Sequence, residues 1–298
     1  MSRIHEALKK AERELASNPR PEGAAEQTEL EAVLPHVTDP VWEAEKVEVS
    51  PVVHLEAAPT EPTLQTLTER CLQPGWRPDP KKMLFFNQRS SARGTEEFRT
   101  LRSRLDRLRA QQPLRTLLIT SSLPKEGKTF VAANLAQAIA RQPEKRALLI
   151  DADLRAPRLH MALGAPLTPG LSDYLRGDAD EIAILQRAPR GNLFFIPGGK
   201  PASSPAELIT NGRLKNLLDR LAPVFDWVIM DSPPIVPVSD AGLFADICDG
   251  VLIVVQAGVT PFDLAQKATQ EFRSKRLVGV VLNCVEPGLA YGSYYYGH

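Results

Sequence analysis

Three cysteines in 298 residues, Cys71, Cys248 and Cys284, are too few and too scattered to staple a fold or enclose a zinc ion. The five histidines are equally isolated, so neither a metal cluster nor a Ser-His-Asp triad is indicated. No apolar run approaches the roughly 18 residues of a membrane helix, and no hydrophobic leader opens the chain. These absences predict a cytoplasmic, reducing setting. Basic and acidic side chains balance at 36 each, and no basic strip interleaved with aromatics argues for nucleic acid. Aromatic residues make up only 6% of the chain, so their placement carries information. Four of the five tyrosines, Tyr291, Tyr294, Tyr295 and Tyr296, fall within the last eight residues, YGSYYYGH.

The richest stretch is LLITSSLPKEGKTFVAANLAQAIA, residues 117–140. A β-branched apolar run enters a short polar loop, and an alanine-rich helix follows. In that order, loop N–H groups and the positive end of the helix dipole converge on an anion. Lys128 reaches β- and γ-phosphates, and the Thr129 hydroxyl takes one position on Mg²⁺. The cradle is expected to comprise Ser122, Pro124, Lys125, Glu126, Gly127, Lys128, Thr129 and Phe130. The full P-loop pattern asks for glycine where Ser122 stands, so GKT alone also fits a chance strand–helix turn.

Two further strands end in acids. ALLIDADLR brings Asp151, Asp153 and Arg155, and WVIMDSPP brings Asp231. Ligands of open parallel sheets bind beyond the carboxyl ends of the strands, which would set these acids on one rim with Lys128. Any single one also fits a helix cap or a turn. Three acids beside phosphates repel unless a divalent cation lies between them, so Mg²⁺ is implied.

ITSSLPKEGKTF, LLIDADLR and VIMDSPP together resemble the three nucleotide motifs of the bacterial tyrosine kinases. These are the CpsD/CapB-type autokinases of capsule and exopolysaccharide synthesis, on a MinD/ParA-like fold. The resemblance covers about residues 94–298, including GLSDYLRG and GGKPASSPAEL. It implies ATP and Mg²⁺ as cofactors. Lys128, Asp151, Asp153 and Asp231 become the catalytic set, and Thr129, Asp151 and Asp231 serve the metal. Asp153 would accept the proton of an attacking tyrosine. Arg155 would hold the carboxylates or meet a neighbouring subunit, and Asn283, ending the last strand, stands where relatives read adenine, though it also fits a turn. The tyrosine tail corresponds to the autophosphorylation substrate; a tail packed on a neighbour or a sheet edge is the alternative. Two departures stand out: Lys125 replaces a frequent glycine, and Leu123 replaces the signature lysine of MinD and ParA proteins.

Upstream, residues 94–110 carry apolar side chains at 98, 101, 105 and 108, a helical stripe. Glu96, Arg99 and Arg102 form an E-x-x-R-x-x-R ladder on the same helix. As bare chemistry this is surface pairing; by resemblance it is the subunit contact of a ring. Residues 21–66 hold ten acidic groups, one lysine and six prolines without apolar period, a composition that cannot offset the entropy of ordering. We therefore expect an amphipathic helix over 1–16, a disordered acidic linker over 17–80, a kinase domain over 81–290 and a tyrosine tail over 291–298. The domain should be α/β, a doubly wound and mostly parallel sheet built from RTLLIT, RALLI, NLFFIP, WVIMD, GVLIVVQ and VGVVLN. Between them, SPAELITNG reads as a capping box of Ser204 and Glu207 around Pro205.

The expected activity is a tyrosine autokinase acting on its own tail in trans. The resemblance also implies a membrane-embedded polysaccharide co-polymerase as activator, which would bring the protein to the inner membrane face. A MinD/ParA-like ATPase switch and a nucleotide-binding scaffold remain the alternatives.

Overall fold

The computed structural model describes residues 63–85, 94–236, 240–274 and 276–285. The expected N-terminal helix, most of the acidic linker and the tyrosine tail lie outside the described residues.

All six expected strands form. They are β1 (Thr116–Ser121), β2 (Ala147–Asp151), β4 (Leu193–Ile196), β5 (Trp227–Asp231), β6 (Gly250–Gln256) and β7 (Leu277–Asn283). A two-residue β3 (Gln186–Arg187), too short for any period to reveal, pairs antiparallel with β4. The sheet order is β3-β4-β2-β5-β1-β6-β7, and every other pairing is parallel. Alternate residues of these apolar runs feed two cores. Leu118, Ile150, Met230 and Ile253 point into one; Leu117, Leu149, Ile229 and Val254 point into the other. Both faces are covered, which is why the strands read as continuous rather than alternating.

Helix α3 (Lys128–Ala140) follows β1, and every residue from Val131 to Ala140 is buried. Its alanines let it lie close against the sheet. Helix α2 (Thr95–Arg109) packs on it through Phe98, Leu101, Leu105 and Leu108, the stripe read from the sequence. Helices α4 (Leu159–Leu163) and α5 (Leu171–Arg176) lie between β2 and β3. Helices α6 (Pro205–Thr210) and α7 (Arg213–Leu221) precede β5, α8 (Asp240–Ala245) precedes β6, and α9 (Phe262–Glu271) precedes β7.

Two expectations need correction. Residues 63–80 belong to the packed fold and not to the linker. Thr63 caps α1 (Leu64–Arg70) by accepting the Thr66 N–H at 3.2 Å. Leu67, Cys71 and Trp76 are buried, and Leu72 bonds the main chain of Leu185 and Arg187 at the β3 edge. These few apolar residues are spaced to wrap an edge, so no amphipathic period announces them. The capping box at Ser204 also does not form. Pro205 opens α6 as expected, but Ser204 makes no side-chain cap bond.

Candidate functional site

The three motif-bearing strands stand side by side. β5 lies between β2 and β1, with Asp151 paired in register to Asp231 and Ile119 to Asp231 on the other side. The loop after β1 and the acids after β2 and β5 therefore share one rim. The Lys128 ammonium lies 3.2 Å from Asp153 Oδ2 and 3.6 Å from Asp231 Oδ1. Its Nζ is 3.4 Å from Thr129 Oγ1. Thus Lys128, Thr129, Asp151, Asp153 and Asp231 lie together at this rim.

The acids differ in their bonding. Asp151 is fully buried and accepts main-chain N–H groups on both oxygens, from Asp153 at 3.3 Å and Leu159 at 2.9 Å. Asp153 accepts the Ala156 N–H at 3.1 Å on one oxygen and Lys128 on the other. Asp231 Oδ1 is buried with no hydrogen-bond partner among the described residues.

One lysine faces three acids in a water-poor pocket, and the proton equilibria show the imbalance. Burial, then the neighbouring Asp231 charge, pushes Asp151 from 3.8 up to about 8. Burial also raises Asp231, against the opposing pull of Lys128. Burial disfavours the Lys128 charge as well, but Asp231 and Asp153 together outweigh it and hold the ammonium above its ordinary range. Such a site is short of positive charge. A buried carboxylate oxygen that has an ion pair but no hydrogen bond, a threonine hydroxyl and acids that give up protons are the hard oxygen donors that suit a divalent cation.

This imbalance makes a testable statement about stability. The folded form holds the Asp151 proton up to about pH 8, whereas the unfolded chain releases it near 3.8. The stabilisation is complete below the lower value and lost as pH rises through the upper one. Urea titrations of nucleotide-free protein should show stability falling by on the order of a few kcal/mol between about pH 5 and pH 9. Asp151→Asn should flatten that slope. Stability rising across the interval would contradict the burial of this acid.

The loop itself is shaped as an anion cradle. The main-chain N–H groups of Gly127, Lys128, Thr129 and Phe130 make no backbone hydrogen bond among the described residues, and the Ser122 hydroxyl is buried without a partner. These groups and the N-terminus of α3 fit a phosphate. Lys125 takes a left-handed φ of 70°, the conformation that favours the glycine it replaces. Gly127 has φ 96°, and a Cβ there would lie 2.1 Å from Asn283 Nδ2. Asn283, at the end of β7, donates that amide to the Glu126 carbonyl at 2.9 Å.

Several expected residues are placed differently from a ligand shell. The Phe130 ring packs edge-on against Phe98 at 5.8 Å, in the core. Pro124 and Lys125 are exposed on the loop. Glu126 turns its carboxylate into the protein, so any contact it makes with phosphate is through its main chain. Arg155 engages Asp240 through Nε at 2.7 Å and a terminal nitrogen at 3.1 Å. Asp240 is buried at the start of α8 and ties the second motif to the segment after the third. Only the run S-D before an apolar helix hints at it in sequence. In the E-x-x-R-x-x-R ladder, Glu96 and Arg99 pair with each other, while Arg102 donates inward to the Ala138 carbonyl at 2.8 Å.

The chain is similar to known proteins. The CobQ/CobB/MinD/ParA nucleotide binding domain matches residues 117–294. Tyrosine-protein kinase YwqD of Bacillus subtilis (strain 168) is 34% identical over 191 residues, 63% of this chain and 80% of that protein. The succinoglycan biosynthesis transport protein ExoP of Rhizobium meliloti (strain 1021) is 36% identical over 194 residues, 63% of this chain but 24% of ExoP. The kinase domain of the Escherichia coli tyrosine kinase ETK is similar with a TM-score of 0.62 at 32% identity, over 68% of this chain and 80% of that one. With three motif strands abreast and one lysine among their acids, the chain belongs to the CobQ/CobB/MinD/ParA nucleotide-binding family and, within it, to the bacterial tyrosine kinases.

Proposed function

We propose that this chain is an ATP- and Mg²⁺-dependent autokinase that phosphorylates Tyr291, Tyr294, Tyr295 and Tyr296 on a neighbouring copy, in the control of exopolysaccharide or capsule synthesis and export. The observation that carries the reading is Lys128 held between Asp153 and Asp231 at the mouth of a loop whose N–H groups from Gly127 to Phe130 make no backbone hydrogen bond. A bound Mg²⁺ would neutralise charge on the phosphates and fix their orientation, and Thr129, Asp151 and Asp231 are the residues to hold or organise it.

Phosphoryl transfer relies on positioning and charge stabilisation. The loop N–H groups bind the phosphates, and the Lys128 ammonium follows the negative charge of the transferring group. Asp153 orients the tyrosine hydroxyl and takes its proton as the new O–P bond forms and the γ-phosphoryl leaves ADP. Asn283, bonded to the loop at the Glu126 carbonyl, is proposed as the residue that meets the base. The tail supplies acceptors at high local concentration once subunits adjoin, and added phosphates then favour release from an acidic rim. Glu96 and Arg99 on α2 are proposed as part of that subunit contact.

No helix among the described residues is long and apolar enough to cross a membrane. The activator in this reading is a membrane-embedded polysaccharide co-polymerase acting in trans, which would hold this chain at the inner membrane face.

Incubation with γ-labelled ATP and Mg²⁺, with and without the co-polymerase, tests the reading. Label is expected in the protein, and replacing all four tail tyrosines by phenylalanine should remove it while nucleotide binding persists. Release of free phosphate alone would mean an ATPase switch of the MinD/ParA kind. Neither outcome in both arms would mean a nucleotide-holding scaffold.

A further inference from the structure

A glutamate inside a phosphate loop is electrostatically odd, because its charge opposes that of the ligand. Glu126 avoids the conflict by burial, with only 3% of its surface exposed. One carboxylate oxygen accepts the Leu123 N–H at 2.7 Å, and the other accepts the Thr260 hydroxyl. Thr260 lies in the connection between β6 and α9, where its oxygen also accepts the Gln256 N–H at 2.9 Å. The Glu126 carbonyl takes the Asn283 amide, and the Asn283 carbonyl in turn accepts the Ala257 N–H at 2.8 Å. One residue thereby joins the head of the loop, the β6–α9 connection and the end of β7.

We propose that Glu126 is a positioning residue that clamps the phosphate loop to the β6–α9 connection and to β7, and so sets nucleotide affinity without taking part in transfer. The inference rests on the nucleotide-binding reading of the loop but not on kinase activity. One feature of the loop needs such a clamp. Lys125, a non-glycine residue, holds a left-handed φ of 70°, and a backbone in a sparsely populated region persists only where its surroundings over-determine it. The clamp consists of bonds to a buried carboxylate, which are stronger than neutral ones. Removing the side chain would leave the Leu123 N–H and the Thr260 hydroxyl without their acceptor. The loop would then sample open forms, and every bound nucleotide would have to re-close it. That cost falls equally on ground state and transition state, so it appears in KM and not in kcat.

The test uses the full chain with three variants, Glu126→Ala, Glu126→Gln and Thr260→Val. Affinity for ATP and ADP is read by calorimetry, and KM and kcat by labelled ATP. Glu126→Ala should weaken both nucleotides by roughly tenfold and raise KM alike, with kcat at saturating ATP within about twofold of the parent. Glu126→Gln should lose clearly less than Glu126→Ala, since its amide oxygen can accept from Leu123 and its NH2 can donate to the Thr260 oxygen. Thr260→Val should give a smaller loss that adds nothing to Glu126→Ala in the double variant. Unchanged affinity in Glu126→Ala would overturn the proposal, as would a Gln variant as damaged as the Ala variant. Should Glu126→Ala not fold, Thr260→Val decides the matter. Weaker binding at an unchanged melting temperature supports the clamp, and unchanged binding rejects it. Because affinity is read directly, failure of the kinase reading would leave this test intact.

Discussion

Lys128→Met is expected to lower labelling of the tyrosine tail by about 10³-fold or more, the scale on which electrostatic stabilisers of a transition state act. Methionine keeps the length and apolar stem of lysine but lacks the charge that follows the transferring phosphoryl group. The fold should survive. Lys128 is the only cation that forms an ion pair with Asp153 or Asp231 among the described residues, yet buried acids that lose a counter-charge take up protons instead of forcing the chain apart. The variant should therefore melt cooperatively at neutral pH and lose stability more steeply than the parent as pH rises. Phosphotyrosine in purified Lys128→Met protein, shown by mass spectrometry after dephosphorylation and re-incubation with ATP, would remove Lys128 from the chemistry.

The second large effect concerns shape, not charge. Gly127→Ala asks an L-residue to hold φ 96° and sets its Cβ 2.1 Å from the Asn283 amide. The left-handed conformation costs about 1 kcal/mol. Asn283 can move aside only by giving up its bond to the Glu126 carbonyl, worth about 1 kcal/mol more. Together they should weaken ATP binding by at least roughly tenfold, since a factor of ten needs about 1.4 kcal/mol. The two causes can be separated. In an Asn283→Ala background the clash disappears, so Gly127→Ala should do less harm there than in the parent. Equal losses in both backgrounds would show that the contact with Asn283 has no bearing on the loop.

Most of the site was legible because each motif is local. Lys128 and Thr129 follow an apolar strand and open an alanine-rich helix, and Asp151 and Asp231 end apolar strands. Parallel sheets bind at those ends, so a linear reading could set them on one rim. The stripe on α2 was legible for the same reason, since Phe98, Leu101, Leu105 and Leu108 all reach the core that α3 covers. The partners of the loop were not. Glu126 and Thr260 are 134 positions apart, Arg155 and Asp240 are 85 apart, and no local pattern couples such pairs. Segment 63–80 escaped notice because acidic, proline-rich surroundings dominated its composition, although Leu67, Cys71 and Trp76 are enough to fasten it.

The amino-acid order alone determined the six longer strands, that the fold is α/β, and which short motifs bear the lysine and acids. Those features depend on apolar period and on residues adjacent in the chain. Only the tertiary structure decided that β5 lies between β1 and β2, that Glu126 faces inward, and that Arg155 is held by Asp240. Strand order and long-range pairing depend on how two cores close around one sheet, and that packing is a property of the whole domain.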